Sequence, residues 1–318
     1  MTAPASDGIG SPRIAAPGYG RRLFGYLRDM FPLSQYGALA ALVYGDLAWL
    51  SDRQLPRSRA TASEAALASL SILLLMLFMR LCDEIKDKDL DAQHYPHRPL
   101  PAGRVSEADL RSARVLVAVA FLGFAAASPR TLAAAIALLA YAVALGRHLL
   151  LRRLLERSPL LTLLTHGPFV PALLLYILAL VLAVRRLPGT ALAPLPAAAV
   201  IGMLWLLVTT AEIARKIRTP GEESGYPTYS AAWGLPVAVL SALASATLAL
   251  AVAAGLIARF ANAPVIALPC LAGYLWFAAE CARLLSRPQR RRTRLGAAAR
   301  NYLLLVSAAF AADGWFAP

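Results

Sequence analysis

Charged side chains are scarce. They make up 16% of the 318 residues, where an ordinary soluble domain carries roughly 25%. A chain that is 58% apolar and so short of polar cover cannot hide its apolar surface in one water-bounded core. Acidic residues are scarcer still, 18 against 32 Lys and Arg, which leaves a net charge of +14. Cysteine is limited to Cys82, Cys270 and Cys281, an odd number with no CxxC pair. A disulfide scaffold and a thiolate zinc site are thereby excluded. The first twenty residues contain no long apolar run, so no secretory signal is expected. What these shortages leave is a polytopic helical membrane protein.

A helix needs about 20 apolar residues to cross a bilayer. Nine windows qualify: 34–51, 64–82, 107–127, 131–151, 158–184, 191–212, 229–257, 263–282 and 296–316. Pro168 and Pro171 predict a kink in the fifth, and Pro236 a bend in the seventh. With the N-terminus inside, the inner segments carry 22 Lys and Arg and the outer loops 7. That alternation follows the positive-inside rule. It predicts a cytoplasmic N-terminus and an outer C-terminus, and it makes the basicity a topology signal rather than a nucleic-acid footprint. The run Arg290-Arg291-Arg292 is expected to meet anionic lipid headgroups. Residues 1–24 read as a flexible basic cytoplasmic tail and 25–318 as one transmembrane domain.

Five of the 18 acidic residues fall between Asp83 and Asp91, where the second window ends. Asp83, Asp87 and Asp91 are spaced to share one helix face, roughly 6 Å apart per step. Three carboxylates on one face at a membrane boundary call for cations, and Mg²⁺ takes oxygen ligands together with substrate phosphates. The same residues also read as a solvated helix end in which Glu84 pairs with Lys88. The run continues as His94-Tyr95-Pro96-His97-Arg98-Pro99-Leu100-Pro101-Ala102-Gly103-Arg104-Val105-Ser106.

The pattern Asp83-Glu-x-x-Asp87-x-x-x-Asp91, followed by Arg98-Pro-Leu-Pro-x-Gly103-x-Val-Ser106, resembles the first signature of the UbiA superfamily of intramembrane prenyltransferases. That signature is usually written NDxxDxxxD, then RPLxxGxxS. Its place at the end of the second span and the count of nine helices agree with the family. The resemblance covers roughly residues 25–316. It departs at Asp83, where the family usually has Asn, and at Glu84, where it usually has Asp. It implies an all-α fold of nine transmembrane helices around a central cavity that opens sideways to lipid. It also implies a polyprenyl diphosphate substrate and Mg²⁺, with Asp83, Glu84, Asp87 and Asp91 as metal ligands. In that reading Asp83, Asp87 and Asp91 are the catalytic carboxylates and Arg98 contacts the diphosphate. Arg98 also reads as a loop arginine that pairs with an upstream carboxylate.

The family's second motif is of DxxxD type, followed by Gly-x-x-Thr. Gly225-x-x-Thr228 fits the latter, but the acidic part does not fit. Glu212 stands in for its first Asp, and Lys216 occupies the position where the second acid belongs. A protonated Lys cannot ligate Mg²⁺. One reading has Glu212 completing the metal site while Arg215, Lys216 and Arg218 meet the diphosphate directly. A second lets Glu222 and Glu223 fold back as ligands, and a third reads the basic residues as a helix-end cap. Tyr141 followed by Arg147 resembles a further family pattern, which makes Arg147 a diphosphate contact. Asp46 and Asp313 read as interfacial or functional, Glu280 as a local partner of Arg283, and His166 as a packing residue beside a kink. The implied activity is Mg²⁺-dependent prenyl transfer to an acceptor left open: an aromatic acid, a quinone precursor, a porphyrin side chain or a lipid headgroup. Terpene cyclisation is the nearest alternative, and prenyl-lipid binding or transport without chemistry the more distant one.

Overall fold

The computed structural model describes residues 17–55, 61–146, 158–223, 227–260, 263–288 and 293–316, and among these all regular structure is helical. The helices are α1 (Tyr19–Met30), α2 (Leu33–Gln54), α3 (Ala62–Lys86), α4 (Lys88–His94), α5 (Glu107–Ala125), α6 (Pro129–Gly146), α7 (Pro159–His166), α8 (Phe169–Val184), α9 (Pro194–Arg215), α10 (Tyr229–Trp233), α11 (Leu235–Phe260), α12 (Ala263–Ser286) and α13 (Leu295–Phe316). Local chemistry sets their starts. Thr61 with Glu64, and Ser106 with Asp109, form reciprocal caps that satisfy the first free amides of α3 and α5. Pro159 and Pro194 open α7 and α9, where a missing N–H costs nothing.

Each of the nine apolar windows is mostly helical among its described residues, with turns or breaks at 126–127, 167–168, 191–193 and 234. Six stretches are long and apolar enough to cross a membrane: Ala62–Lys86, Leu160–Val184, Pro194–Arg215, Leu235–Phe260, Val265–Ser286 and Leu295–Gly314. Asp46, Asp52 and Arg53 dilute α2, Arg111 and Arg114 dilute α5, and α6 is shorter. The expected kink in the fifth window is a break between α7 and α8 at Gly167-Pro168. The seventh window breaks at Gly234, which takes φ 81°, so Pro236 begins α11 instead of bending it. The expected tail through residue 24 is corrected, since α1 already starts at Tyr19. Helix α1 is amphipathic. It buries Tyr26 and exposes Phe24, and Arg22 holds it to α5 by donating to both carboxyl oxygens of Asp109 at 2.8 and 2.7 Å.

The longer helices form a closed circuit. In order, α2, α3, α5, α6, α8, α9, α11, α12 and α13 each pack on the next, and α13 returns to α2. Helix α8 also touches α2 and α3, and α9 touches α2 and α13. Side chains such as Val115, Leu116 and Val119 on α5 and Leu268 and Leu275 on α12 stay exposed, as a lipid-facing surface requires.

The closing seam between α2 and α13 is tight and charged. A Cβ on Gly45 would come within 2.8 Å of the Ala311 Cβ, and glycine at such crossings lets backbones approach. Asp313 accepts from Trp49 Nε1 at 2.8 Å and from Arg53 Nε at 3.1 Å. It is therefore an interhelical tie, not an interfacial residue. Asp46 is wholly buried. Removing one partner of a buried ion pair costs about 3 kcal/mol or more. Asp313→Asn is expected to lower the apparent Tm of the detergent-solubilised protein, while Asp89→Asn, at an exposed position, leaves it unchanged.

Candidate active site

Helix α3 ends at Lys86, and Asp87 (φ −93°, ψ 7°) joins it to α4. The backbone register survives the junction. Asp87 N–H donates to the Asp83 carbonyl at 2.9 Å and Asp91 N–H to the Asp87 carbonyl at 2.8 Å. The three aspartates therefore keep the stacked order that their spacing predicts, but their side chains have different surroundings. Asp83 and Asp87 are 46% and 40% exposed, whereas Glu84 and Asp91 are 1% and 6% exposed.

Each carboxylate has a basic partner. Lys86 Nζ lies 3.1 Å from Asp83 Oδ1 and 3.8 Å from Asp87 Oδ1, an ammonium shared by the two open aspartates. Glu84 turns inward to Arg80 at 2.5 Å. The expected pairing of Glu84 with Lys88 is not formed, because Lys88 lies past the helix break and reaches Glu107 at 2.9 Å. Asp91 accepts from Arg98 Nη1 at 2.5 Å, and the Arg98 guanidinium lies over the Tyr95 ring at 4.2 Å. Arg98 is thus the loop arginine paired with an upstream carboxylate. The same loop turns at Gly103 with φ 68°. It is tied to α1 by Arg104, which donates to Asp29 at 2.6 Å.

Glu212 on α9 is held from two sides. Arg215 Nε donates at 2.5 Å and Lys216 Nζ lies 3.1 Å away. Arg218 donates to the carbonyls of Arg215 and Ile217 at 2.8 and 3.1 Å, so it caps the end of α9. Glu222 accepts from Thr219 and Thr293, and Glu223 from Thr228 and Ser230. These acids close the inner loops and do not fold back as ligands. Arg147 and Gly225 lie outside the described residues. Glu280 pairs locally with Arg283 at 2.6 Å, as expected.

Electrostatics join the two halves. The Asp87 carboxyl sits above its ordinary value because partial burial raises it. Lys86 opposes that shift, Asp83 and Asp91 add to it, and Lys216 of α9 opposes it. His166, at the end of α7, has Nδ1 3.0 Å from the Thr162 carbonyl oxygen, one turn back and beside the Gly167-Pro168 break.

Among the described residues, no three His, Cys, Asp or Glu side chains gather in a metal-holding arrangement. The cradle of Asp83, Glu84, Asp87, Asp91 and Glu212 is thus not assembled, because arginines and Lys216 draw three of its members away. Two half-exposed carboxylates remain, Asp83 and Asp87. They match what Mg²⁺ ordinarily takes from a protein when phosphate oxygens and water complete its shell.

The profile of the UbiA prenyltransferase family matches residues 38–305. The chain belongs to this family. It is an integral-membrane prenyltransferase. No curated protein matches the sequence significantly. Among solved structures, a UbiA homologue from Archaeoglobus fulgidus bound to DMAPP and Mg²⁺ is 15% identical with a TM-score of 0.59, covering 91% of this chain and 97% of its own. A digeranylgeranylglyceryl phosphate synthase is 14% identical with a TM-score of 0.60, covering 92% and 99%. At these identities the likeness shows a shared UbiA fold.

The Asp29 carboxyl is held below its ordinary value by the Arg104 hydrogen bond and then by Arg28. The Asp29–Arg104 tie therefore contributes fully above the ordinary Asp pKa and fades as pH falls through the lowered one. Limited trypsin cleavage after Arg104 is expected to accelerate in Asp29→Asn at neutral pH, with no such acceleration in Asp89→Asn.

Proposed function

We propose that this UbiA-family protein transfers a prenyl group from a polyprenyl diphosphate to a small-molecule or lipid acceptor at the cytoplasmic face of the membrane. The observation that carries the reading is the pair of half-exposed aspartates, Asp83 and Asp87, at the end of α3. The positive-inside distribution supports the cytoplasmic placement of this end, with the N-terminus inside and the C-terminus outside. The Archaeoglobus homologue with DMAPP and Mg²⁺ supports the donor class and the cation.

Asp83 and Asp87 would hold Mg²⁺, which supplies charge stabilisation for the leaving diphosphate. The chain's own residues do the rest. Lys216 presents a fixed positive charge where the family carries an acid, and Arg215 adds a guanidinium beside it; both are already neutralised in part by Glu212. A diphosphate competes with Glu212 for these cations, because phosphate oxygens make charge-assisted bonds of the same kind. Arg98 is committed to Asp91; it acts by fixing the loop that follows the motif. Arg80 does the same for Glu84. This assigns Glu84, Asp91 and Glu212 to positioning basic side chains and leaves metal contact to Asp83 and Asp87.

Diphosphate release by the purified protein tests the reading. Geranyl, farnesyl and geranylgeranyl diphosphates are supplied with and without Mg²⁺, and with membrane lipid extract as the acceptor source. Mg²⁺-dependent release that Asp87→Asn abolishes is expected, together with a prenylated extract component. A cyclic hydrocarbon formed without extract would replace transfer by cyclisation. No release under any condition would sink both. Lys216→Met is expected to raise the KM for the diphosphate more than it lowers kcat, since it removes a phosphate contact made in the ground state as well.

A further inference from the structure

Lys216 stands where the family carries its second acid, and two side chains decide where its ammonium lies. Nζ is 3.1 Å from Glu212 Oε1. The same oxygen accepts from Arg215 Nη2 at 2.9 Å, while Arg215 Nε donates to the other carboxyl oxygen at 2.5 Å. Glu212 is thus held by a two-pronged guanidinium, the stronger of its partners, and Lys216 is its second cation. The other neighbour of the ammonium is not an anion. Nζ lies over the Tyr229 ring, 5.8 Å from its centroid, within the distance at which an aromatic face attracts a cation.

That ring is fixed. Tyr229 is 1% exposed and packs on Trp233, with ring centroids 4.6 Å apart. Its N–H donates to the Lys216 carbonyl at 3.0 Å. One residue on, Ser230 Oγ accepts from the Arg218 N–H at 2.8 Å and donates to Glu223 Oε1 at 2.7 Å. Thr228 opens α10 by accepting from the Ala231 N–H at 3.1 Å. The segment 228–230 therefore clasps the chain at 216 and 218, and the ring of Tyr229 comes with the clasp.

The two neighbours of the ammonium act differently. A carboxylate cancels the charge that a diphosphate needs. An aromatic ring is neutral, holds the ammonium through its quadrupole and leaves the charge available. Resting on the prenyl-transfer reading above, in which phosphate oxygens compete with Glu212, we propose that Tyr229 is the positioning residue for Lys216. Its ring keeps the ammonium in place while that cation changes partner from carboxylate to diphosphate. Glu212 is not orphaned by the exchange, because Arg215 still binds both of its oxygens. Without the ring, the flexible four-carbon stem of a released lysine would leave its charge unlocalised.

The test alters the face of the ring and keeps its shape. Position 229 carries phenylalanine, then its mono-, tri- and pentafluorinated forms, in purified full-length protein in detergent. Diphosphate release from geranyl diphosphate is followed with Mg²⁺ and membrane lipid extract. Binding of inorganic pyrophosphate with Mg²⁺ is read separately by thermal shift. Tyr229→Phe is expected to retain the wild-type KM, since the ring face remains. The fluorinated series is expected to raise KM stepwise with little change in kcat, and Tyr229→Leu to raise it about fivefold, the scale of one cation–π contact. Pyrophosphate binding is expected to weaken in parallel. In a Lys216→Met background the same changes at position 229 are expected to add nothing, because the two residues act as one unit. A flat KM across the fluorinated series would overturn the assignment. So would a Tyr229→Leu effect that persists beside Lys216→Met, since that marks damage to the clasp. Wild-type KM and pyrophosphate binding in Lys216→Met would take Lys216, and Tyr229 with it, out of the diphosphate site while leaving prenyl transfer intact. Wild-type protein that neither binds nor cleaves geranyl diphosphate would overturn the transfer reading, and the role of Tyr229 with it.

Discussion

A carboxylate at the edge of a membrane, where water is thin, needs a cation close by, and that need organises the C-terminal ends of α3 and α9. Arg80 takes Glu84, Arg98 takes Asp91, and Arg215 with Lys216 takes Glu212. Each pair fixes a piece of backbone. Arg80 with Glu84 braces the last turns of α3, Arg98 shapes the loop after α4, and the Glu212 cluster ends α9. Burying two charges is costly, and such pairs are weak as sources of stability. Their effect here is geometric: they settle which acids remain open. Asp83 and Asp87 remain half-exposed because their shared cation, Lys86, lies on the same helix turn and does not cover them.

This division shows how the site tolerates a departure from its family's pattern. A second acidic motif opposite the first would leave five or six carboxylates facing one another. In this chain Lys216 replaces one acid and neutralises another, so the second half of the site is cationic. In the proposed function a diphosphate would meet positive side chains on α9 and carboxylates on α3, and would compete with Glu212 for the cations of α9.

The helices were legible in the sequence because twenty-residue apolar runs leave little choice, and caps such as Thr61 and Ser106 mark where they begin. Helix α1 was not legible as structure. Its apolar residues alternate with Arg21, Arg22 and Arg28, and only docking on α5 through Asp109 makes it more than a polar tail. Pro269 sits inside α12, within the predicted window 263–282, although a proline there removes one helix hydrogen bond. At the site, the residue types were readable and the partners were not. Glu84 had basic residues one turn away on both sides. The choice fell to Arg80 because the helix breaks at Asp87, which carries Lys88 towards Glu107.

The seam at Trp49, Arg53 and Asp313 joins residues more than 250 positions apart, Trp49 and Asp313 being separated by 264. A ribosome must therefore add 260 residues after Arg53 before Asp313 exists to meet it. Until then α2 waits in the bilayer with Gly45 facing a groove that α13 has not yet filled, and with Arg53 lacking the acid that later neutralises it. Closing this ring needs α13, made long after α2, and the high sequence separation of the contact carries a large loop-closure cost.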